Sequence, residues 1–303
     1  MWAYKLEYAW RTDRGRVRKR NEDAVIVHAG MGLVVVADGV GGASAGEVAS
    51  RLAVDTIREH FKRQTLSLTH ADKARLLTEA AVEEANRAVW QLAQVKTDCV
   101  GMGTTVVLGF ARADWLAYAN VGDSRLYRLR NERLEQLSHD HSFIQEVVDQ
   151  GFFRTLDDAR HYGIGDNILT RALGSSAEVS VYSGVTDLQT GDIYLFCTDG
   201  LTGMVPEDWL RQLLIGAGKS ELDSAAESLV RFANERGGRD NITLALLRVG
   251  ERPGEGVLET LPNSPPASLA SAAPSACGTL PGSHLGGPGV RRGRGPGPDP
   301  RSG

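Results

Sequence analysis

The chain is poor in cysteine, in proline over most of its length and in long apolar runs, and each shortage removes a class of protein. Its three cysteines, Cys99, Cys197 and Cys277, are scattered over 303 residues. That spacing supports neither a disulfide framework nor a paired zinc site, so reduced thiols in a cytoplasmic protein are expected. No stretch approaches the roughly 20 apolar residues of a membrane span, and the opening Met1–Tyr8 has no apolar signal core. Neither sign of charge dominates: 34 Lys and Arg against 38 Asp and Glu leave a formal charge of −4. Such a balance gives no reason to expect nucleic acid or a membrane surface as partner. The seven histidines offer one local cluster, His139-Asp140-His141, without the second histidine or cysteine group that a soft metal would need.

Proline is concentrated rather than absent. Of 11 prolines, only Pro206 precedes Gly250, and the segment 250–303 also holds twelve glycines and no Phe, Trp or Tyr. Such a segment cannot bury enough apolar surface to offset its chain entropy. The expectation is one folded domain over 1–249, with its 42% apolar composition measured over the whole chain, and a disordered Gly/Pro-rich tail over 250–303.

Within 1–249, β-type runs dominate: Leu6–Trp10, Ala24–Val27, Leu33–Ala37, Thr104–Phe110, Leu116–Val121, Arg125–Arg128, Val179–Val185, Ile193–Cys197 and Ile242–Val249. Helical stripes are grouped rather than interleaved. Ala45, Val48, Ala49, Leu52, Ala53, Ile57 and Phe61 form one; a second runs from Asp72 to Gln94 and a third over Glu221–Glu235. Grouped helices among many strands predict an α+β fold, with helices on the outside of a sheet sandwich.

Apolar segments meet aspartate at their ends: Leu33-Val34-Val35-Val36-Ala37 runs into Asp38-Gly39, Ile193-Tyr194-Leu195-Phe196-Cys197 into Thr198-Asp199-Gly200, and Asp240-Asn241 precedes Ile242–Leu247. A carboxylate at the end of a buried strand is unfavourable unless something positive meets it. Three of them, able to meet at one sheet edge, point to a cation site. The glycine loop after Asp38 does not suit a nucleotide. Ser44 stands where a dinucleotide fingerprint needs its third glycine, and Glu47 where a phosphate loop needs lysine. A metal removes that contradiction, because an Asp-Gly turn exposes both the Asp38 carboxylate and the Gly39 carbonyl as oxygen ligands. Oxygen ligands suit hard cations such as Mg²⁺ or Mn²⁺. Cys197 reads as a small core residue that should share a strand face with Asp199.

A basic run, Arg14-Gly15-Arg16-Val17-Arg18-Lys19-Arg20, stands directly before Asn21-Glu22-Asp23. With it the ordered set becomes Arg18…Asn21-Glu22-Asp23, Asp38-Gly39-Val40-Gly41-Gly42…Gly46-Glu47, Gly103-Thr104-Thr105, Val121-Gly122-Asp123-Ser124-Arg125, Asp140-His141-Ser142, Leu169-Thr170-Arg171-Ala172-Leu173-Gly174, Thr198-Asp199-Gly200 and Asp240-Asn241-Ile242-Thr243. This set resembles the type 2C (PPM) metal-dependent serine/threonine phosphatases, most closely their compact bacterial branch, over nearly all of 1–249.

The resemblance implies a four-layer α-β-β-α sandwich with two central, mostly antiparallel sheets and a centre for two Mg or Mn ions at one edge. It implies that Asp38 bridges the metals, that Gly39 gives one a carbonyl, and that Asp199 and Asp240 hold the other. Glu22 and Asp23 would contact metal-bound waters, and Asp123 with Asp199 would form a weaker third site. Arg18 takes the position of the phosphate-binding arginine, with Arg16 and Arg20 in reserve if the turn's register differs; a guanidinium fork grips two phosphate oxygens at once. The implied reaction is hydrolysis of phosphoserine and phosphothreonine by direct attack of a metal-bridging hydroxide. Phosphorylated proteins, substrates of a cognate serine/threonine kinase, are the implied partners. The segment 139–173 resembles the mobile flap of that family; a packed helical insert is the alternative. Val40 and Ala43 stand where many relatives carry histidine, leaving a metal-bound water or His161 to protonate the leaving group. Those two positions also keep open a pseudophosphatase that binds phosphoproteins without hydrolysis; a metallohydrolase of small phosphate esters is the further alternative.

Overall fold

The computed structural model describes residues 4–41, 45–64, 70–165, 168–218 and 221–253. Gly42, Ala43 and Ser44 of the glycine loop, and the tail from residue 254, lie outside the described residues. All that follows concerns the compact unit Met1–Leu258.

Two antiparallel sheets form its centre. One has the order β1 (Leu6–Asp13), β11 (Ile242–Val249), β10 (Ile193–Cys197), β7 (Arg125–Arg130), β8 (Arg133–Gln136). The other runs β2 (Asp23–His28), β3 (Leu33–Val40), β5 (Val106–Arg112), β6 (Trp115–Val121), β9 (Tyr182–Asp187), with β4 (Gly103–Thr104) paired to the end of β3. Alternation decides which layer each side chain enters. Val34 and Val36 of β3 meet Tyr194, Phe196, Ala245 and Leu247 between the sheets. Leu33, Val35 and Ala37 face α1 (Ala45–Gln64) and α2 (Ala71–Val95) through Ala49, Ala53, Ile57, Phe61 and Ala85. On the far side, Leu195, Cys197, Leu244 and Leu246 face α6 (Glu207–Ala217) and α7 (Leu222–Glu235). The expected α-β-β-α layering is thus present. Strands buried on both faces explain why β3 and β11 read as unbroken apolar runs instead of alternating ones.

The structure adjusts several boundaries. The run expected over Thr104–Phe110 divides into β4 and β5, because Thr105 leaves the ladder to donate its N–H to the Asp38 carbonyl at 2.8 Å. The run expected from Val179 begins as a strand at Tyr182. Helix α6 follows Pro206 and buries Leu210, Leu214 and Ala217, a spacing readable in the sequence but not anticipated. Edge strand β8 is short and polar apart from Leu134. Asp199 does not share a strand face with Cys197; it opens the single-turn helix α5 (Asp199–Thr202). The β1–β11 pairing runs on past Val249, with Gly250 N–H to Lys5 O at 2.7 Å and Lys5 N–H to Glu251 O at 3.0 Å.

Antiparallel pairing gathers the acidic turns. Asp23 at the start of β2 lies opposite Asp38 near the end of β3. The end of β10 at Cys197 pairs with Leu244 near the start of β11 and with Arg125 at the start of β7, and Asp13 at the end of β1 pairs with Ile242. The turns bearing Asp123, Asp199 and Asp240 therefore leave one sheet at the same end. The segment 14–22 crosses from β1 to β2 there, between the sheets.

Candidate metal centre

At this edge Arg18 reaches across the acidic turns, its Nη2 donating to Asp240 Oδ2 at 2.6 Å. The other Asp240 oxygen, Oδ1, accepts the Asn241 N–H at 2.8 Å. Asp38 and Asp199 are electrostatic neighbours, each acting on the titration of the other. The Asp38 carbonyl accepts from Thr104 Oγ1 and from Thr105 N–H, both at 2.8 Å, and its own N–H donates to Thr105 Oγ1 at 3.0 Å. Three bonds to the adjacent Thr104 and Thr105 hold the Asp38 turn through its backbone, leaving its carboxylate free of them.

Asp23 lies under the cluster, 9% exposed. Its Oδ2 accepts from Thr198 Oγ1 at 3.0 Å, and the same hydroxyl receives the Thr243 N–H at 3.1 Å. Thr243 Oγ1 in turn lies 2.7 Å from Thr12 Oγ1, which accepts from Asn21 Nδ2 at 2.7 Å. Sequence reasoning quoted Thr198 and Thr243 within their motifs without giving them a role, and did not name Thr12. Their signal was available: hydroxyl residues at strand ends, beside the aspartates of each acidic turn.

Burial and mutual repulsion raise Asp23, Asp38, Asp123, Asp199 and Glu22. Burial lifts Asp23 to about 7 against hydrogen bonds from Thr243 and Thr198, with Asp199 and Asp240 adding to the rise. Asp123 is also pushed up to about 7, by burial and by the charges of Asp199 and Asp140. Asp38 stands well above the usual carboxylate range, through burial and then the charges of Asp23, Asp199 and Asp123. Asp199 is raised by burial and by Asp240, and Glu22 chiefly by burial. Like charges forced together in low dielectric take up protons unless a cation replaces them.

The donor set fits a hard divalent cation. Asp23 Oδ1 and Asp199 Oδ1 are both buried and lack any hydrogen-bond partner, although buried carboxylate oxygens are normally satisfied. Every nearby candidate donor is oxygen, as Mg²⁺ and Mn²⁺ prefer. Among the described residues no three acidic, histidine or cysteine side chains already enclose one point; Asp240 is turned to Arg18, and Asp38 to Asp199. The Arg18 guanidinium thus supplies the positive charge that meets Asp240.

Of the sequence-predicted residues, Arg18, Asp23, Asp38, Asp199 and Asp240 come together, and Gly39 follows Asp38 with its N–H on the Glu22 carbonyl at 3.2 Å. Glu22 is within electrostatic reach of Arg18, Arg20 and Asp240, and Asp123 of Asp199. Arg18 is the arginine of the run whose guanidinium answers to the cluster: burial opposes its charge, but Asp240, Asp38 and Asp199 hold its pKa up. Arg16 is tied through its backbone to Gly238 O at 2.7 Å. His161 sits at the end of α4 (Leu156–His161), with its ring against Tyr162 at 5.8 Å. Val40 ends β3 and is 36% exposed; Ala43 lies outside the described residues.

Beside Asp123, Arg125 grips Asp140 through Nε and Nη2, at 2.9 and 2.6 Å to Oδ2, and donates from Nη1 to Tyr127 Oη at 2.9 Å. This buried fork ties the Asp123 turn to the base of the segment 139–173. That segment carries α3 (Phe143–Asp149), capped by Ser142 Oγ, and α4, capped by Thr155 Oγ1. His141 Nδ1 accepts the Gly122 N–H at 3.0 Å, and burial depresses its pKa to about 4. A histidine that accepts through Nδ1 is structural here, and the His139-Asp140-His141 cluster ties the base of the segment to the Asp123 turn by hydrogen bonds.

Known proteins share this arrangement. Residues 14–242 match the family model described as protein phosphatase 2C. The serine/threonine phosphatase stp of Listeria monocytogenes is 40% identical over 241 residues, covering 78% of this chain and 94% of that protein. The crystal structure of the Mycobacterium tuberculosis serine/threonine phosphatase PstP/Ppp has a TM-score of 0.73 at 32% identity, covering 81% of this chain and 99% of that one. A structure of the PstP catalytic domain in complex with two manganese ions gives 0.70 at 34% identity, over 81% and 99% of the two chains. With the matched region spanning all the acidic turns from Arg18 to Asp240, the chain belongs to the protein phosphatase 2C family.

Proposed function

We propose that the protein is a metal-dependent protein phosphatase that hydrolyses phosphoserine and phosphothreonine in proteins phosphorylated by a cognate serine/threonine kinase. The observation that carries this reading is the convergence of Asp23, Asp38, Asp199 and Asp240 under Arg18, with two buried carboxylate oxygens unpartnered. The manganese pair in the PstP structure supports two Mg²⁺ or Mn²⁺ ions. Asp38, the Gly39 carbonyl, Asp199 and Asp240 would hold them, and Asp123 with Asp199 a weaker third. When bound, such ions polarise phosphoryl oxygens and lower the pKa of a coordinated water.

The chain's own residues do the rest. Arg18, exposed and hinged on a long side chain, exchanges Asp240 for the phosphate and presents it in a bidentate fork. Glu22 and Asp23 orient water below the phosphate from the ends of hydrogen-bonded turns. Thr198 and Thr243 fix Asp23 so that one oxygen stays free. The flap-like segment 139–173 shows Phe143, Phe152, Tyr162 and Ile168 to solvent, apolar surface suited to selecting the protein that carries the phosphate. We assign the activity to residues 1–249, with 250–303 as a tail outside it, and place the protein in the cytoplasm, where its buried free thiols Cys99 and Cys197 persist. Among the described residues no helix is long and apolar enough to cross a membrane.

The test is hydrolysis of a phosphothreonine peptide with and without Mn²⁺, using wild type, Asp38→Asn and Asp199→Asn. Mn²⁺-dependent turnover lost in both variants is expected. Metal-independent turnover, or equal rates in all three, would overturn the reading, and binding without turnover would replace it with a pseudophosphatase.

A further inference from the structure

The segment 14–22 carries Arg18 and spans the gap between the two sheets, yet it has no secondary structure of its own. Its backbone must be fixed from outside; its ends are held by Gly15 N–H on Asp13 Oδ1 and by Gly39 N–H and Ser50 Oγ on the Glu22 carbonyl, and two further anchors flank Arg18. One is Gly238, whose carbonyl accepts the N–H of Arg16 at 2.7 Å and of Val17 at 3.3 Å. The other is a single side chain. Asn241 Nδ2 donates to the Arg14 carbonyl at 2.9 Å and to the Arg20 carbonyl at 2.8 Å, while its Oδ1 accepts the Glu22 N–H at 2.8 Å. The amide is 5% exposed, and both of its N–H groups are in use. All three bonds go to one segment, on both sides of Arg18. The fit is close: Gly15, at φ +77°, lies so near the Asp240 carbonyl that a Cβ there would stand 2.1 Å from it.

From this geometry we infer that Asn241 is the positioning residue for phosphate binding: its side-chain amide sets where Arg18 stands relative to the Asp240 turn. This deepens the phosphatase reading and rests on it. The separation of roles is sharp because Asn241 serves Asp240 through a different group, the backbone N–H on Asp240 Oδ1, which survives any change of side chain. Metal-ligand geometry at Asp240 and the placement of Arg18 are thereby controlled by two parts of one residue. Aspartate cannot replace the amide, since it would turn an acceptor toward the Arg14 and Arg20 carbonyls. Serine keeps one hydroxyl and reaches less far.

The experiment uses the full chain loaded with Mn²⁺ and inorganic phosphate as probe. Calorimetry gives the phosphate Kd for wild type, Asn241→Ala, Asn241→Ser, Arg18→Ala and Arg18→Ala/Asn241→Ala, and the Mn²⁺ affinity of each without phosphate. Loss of placement at a charged fork should weaken phosphate binding about tenfold or more in Asn241→Ala, with Asn241→Ser between it and wild type and Mn²⁺ affinity within about twofold throughout the Asn241 series. In the Arg18→Ala background the Asn241 change should add nothing, because the side chain it positions is gone. Steady-state rates should show the same split, with KM raised more than kcat. The inference is overturned if Asn241→Ala and Asn241→Ser bind phosphate as wild type does, if Mn²⁺ affinity falls in parallel, or if the two changes are additive. Should Asn241→Ala not fold, Asn241→Ser and its Arg18→Ala double decide alone. If Arg18→Ala itself leaves phosphate affinity unchanged, the phosphate role of Arg18 falls first, and the positioning role with it.

Discussion

Arg18 and Asp240, 222 residues apart, form a 2.6 Å ion pair that joins the residue assigned to grip phosphate to one assigned to hold metal. The pair is partly exposed, at 54% and 32% of its side-chain surfaces, so solvent screens it to about 1 kcal/mol or less. A divalent cation at Asp240 therefore displaces the guanidinium easily.

Replacing Arg18 should consequently have opposite effects on the two ligands. Arg18→Ala removes a competitor from Asp240 and should tighten Mn²⁺ binding measured without phosphate, by no more than about fivefold given the weakness of a screened pair. Substrate KM should rise by about tenfold or more, since a bidentate contact to phosphate is lost. Isothermal titration with Mn²⁺ and steady-state kinetics check the two halves separately. Weaker Mn²⁺ binding in the variant would show that Arg18 organises the acidic turn instead of competing for it.

Stability without metal should depend on pH in an unusual direction. Asp23 and Asp123 have folded-state pKa values of about 7, and those of Asp38 and Asp199 are also raised. A carboxyl with a raised folded-state pKa favours folding while protonated, and this contribution fades as pH rises through the folded value. His141, depressed to about 4 by burial, acts in the opposite sense as pH falls below its unfolded value near 6.5. The window from about pH 6.5 to 8 thus isolates the carboxylates. In EDTA the Tm should fall across it, and saturating Mn²⁺ should lift Tm and abolish or reverse the slope. A flat profile in EDTA would mean the carboxylates are better solvated than their burial indicates.

Function and stability should trade against each other at Asp38. Asp38→Asn keeps the shape and removes a buried charge from a group of like charges. Phosphothreonine-peptide hydrolysis should fall by at least about 10³-fold if Asp38 holds metal as proposed, since the electrostatics it would organise are then lost. The metal-free protein at pH 8 should gain about 1 kcal/mol, the usual return from relaxing a strained site. Chemical denaturation in EDTA reads the second effect. A destabilised Asn variant would assign Asp38 a structural role instead.

Gly200 should tolerate nothing larger. A Cβ there would meet the Asn241 carbonyl at 1.9 Å, and that carbonyl belongs to the turn bearing both Asp240 and the Arg18 anchor. Gly200→Ala should destabilise the protein by about 3 kcal/mol through forced backbone movement. Mn²⁺ affinity should fall with it, which urea unfolding and metal titration would detect together.

The layering and the strands were legible because burial on both sheet faces writes itself as unbroken apolar runs, and because the helices on either side carry clear stripes. Asp38, Asp199 and Asp240 stood out for the same reason: a carboxylate after such a run contradicts its surroundings. Other features were harder to read. Edge strand β8 is short and polar, and α6 carries its stripe over only 11 residues directly after Pro206. The supporting hydroxyls Thr12, Thr198 and Thr243, and the triple role of Asn241, depend on contacts across 45 to 231 residues of chain that local pattern does not encode.

By itself, then, the order of residues determined which segments are strands and helices, which faces are buried and which turns carry charge, since these follow from local periodicity and from the difficulty of burying a carboxylate. Tertiary structure alone decided that Arg18 pairs with Asp240, that Asp199 opens a helical turn instead of ending a strand, and that two buried oxygens are left without partners. Those outcomes follow from antiparallel register, which brings the ends of distant strands to one edge and fixes their side chains to within a hydrogen-bond length.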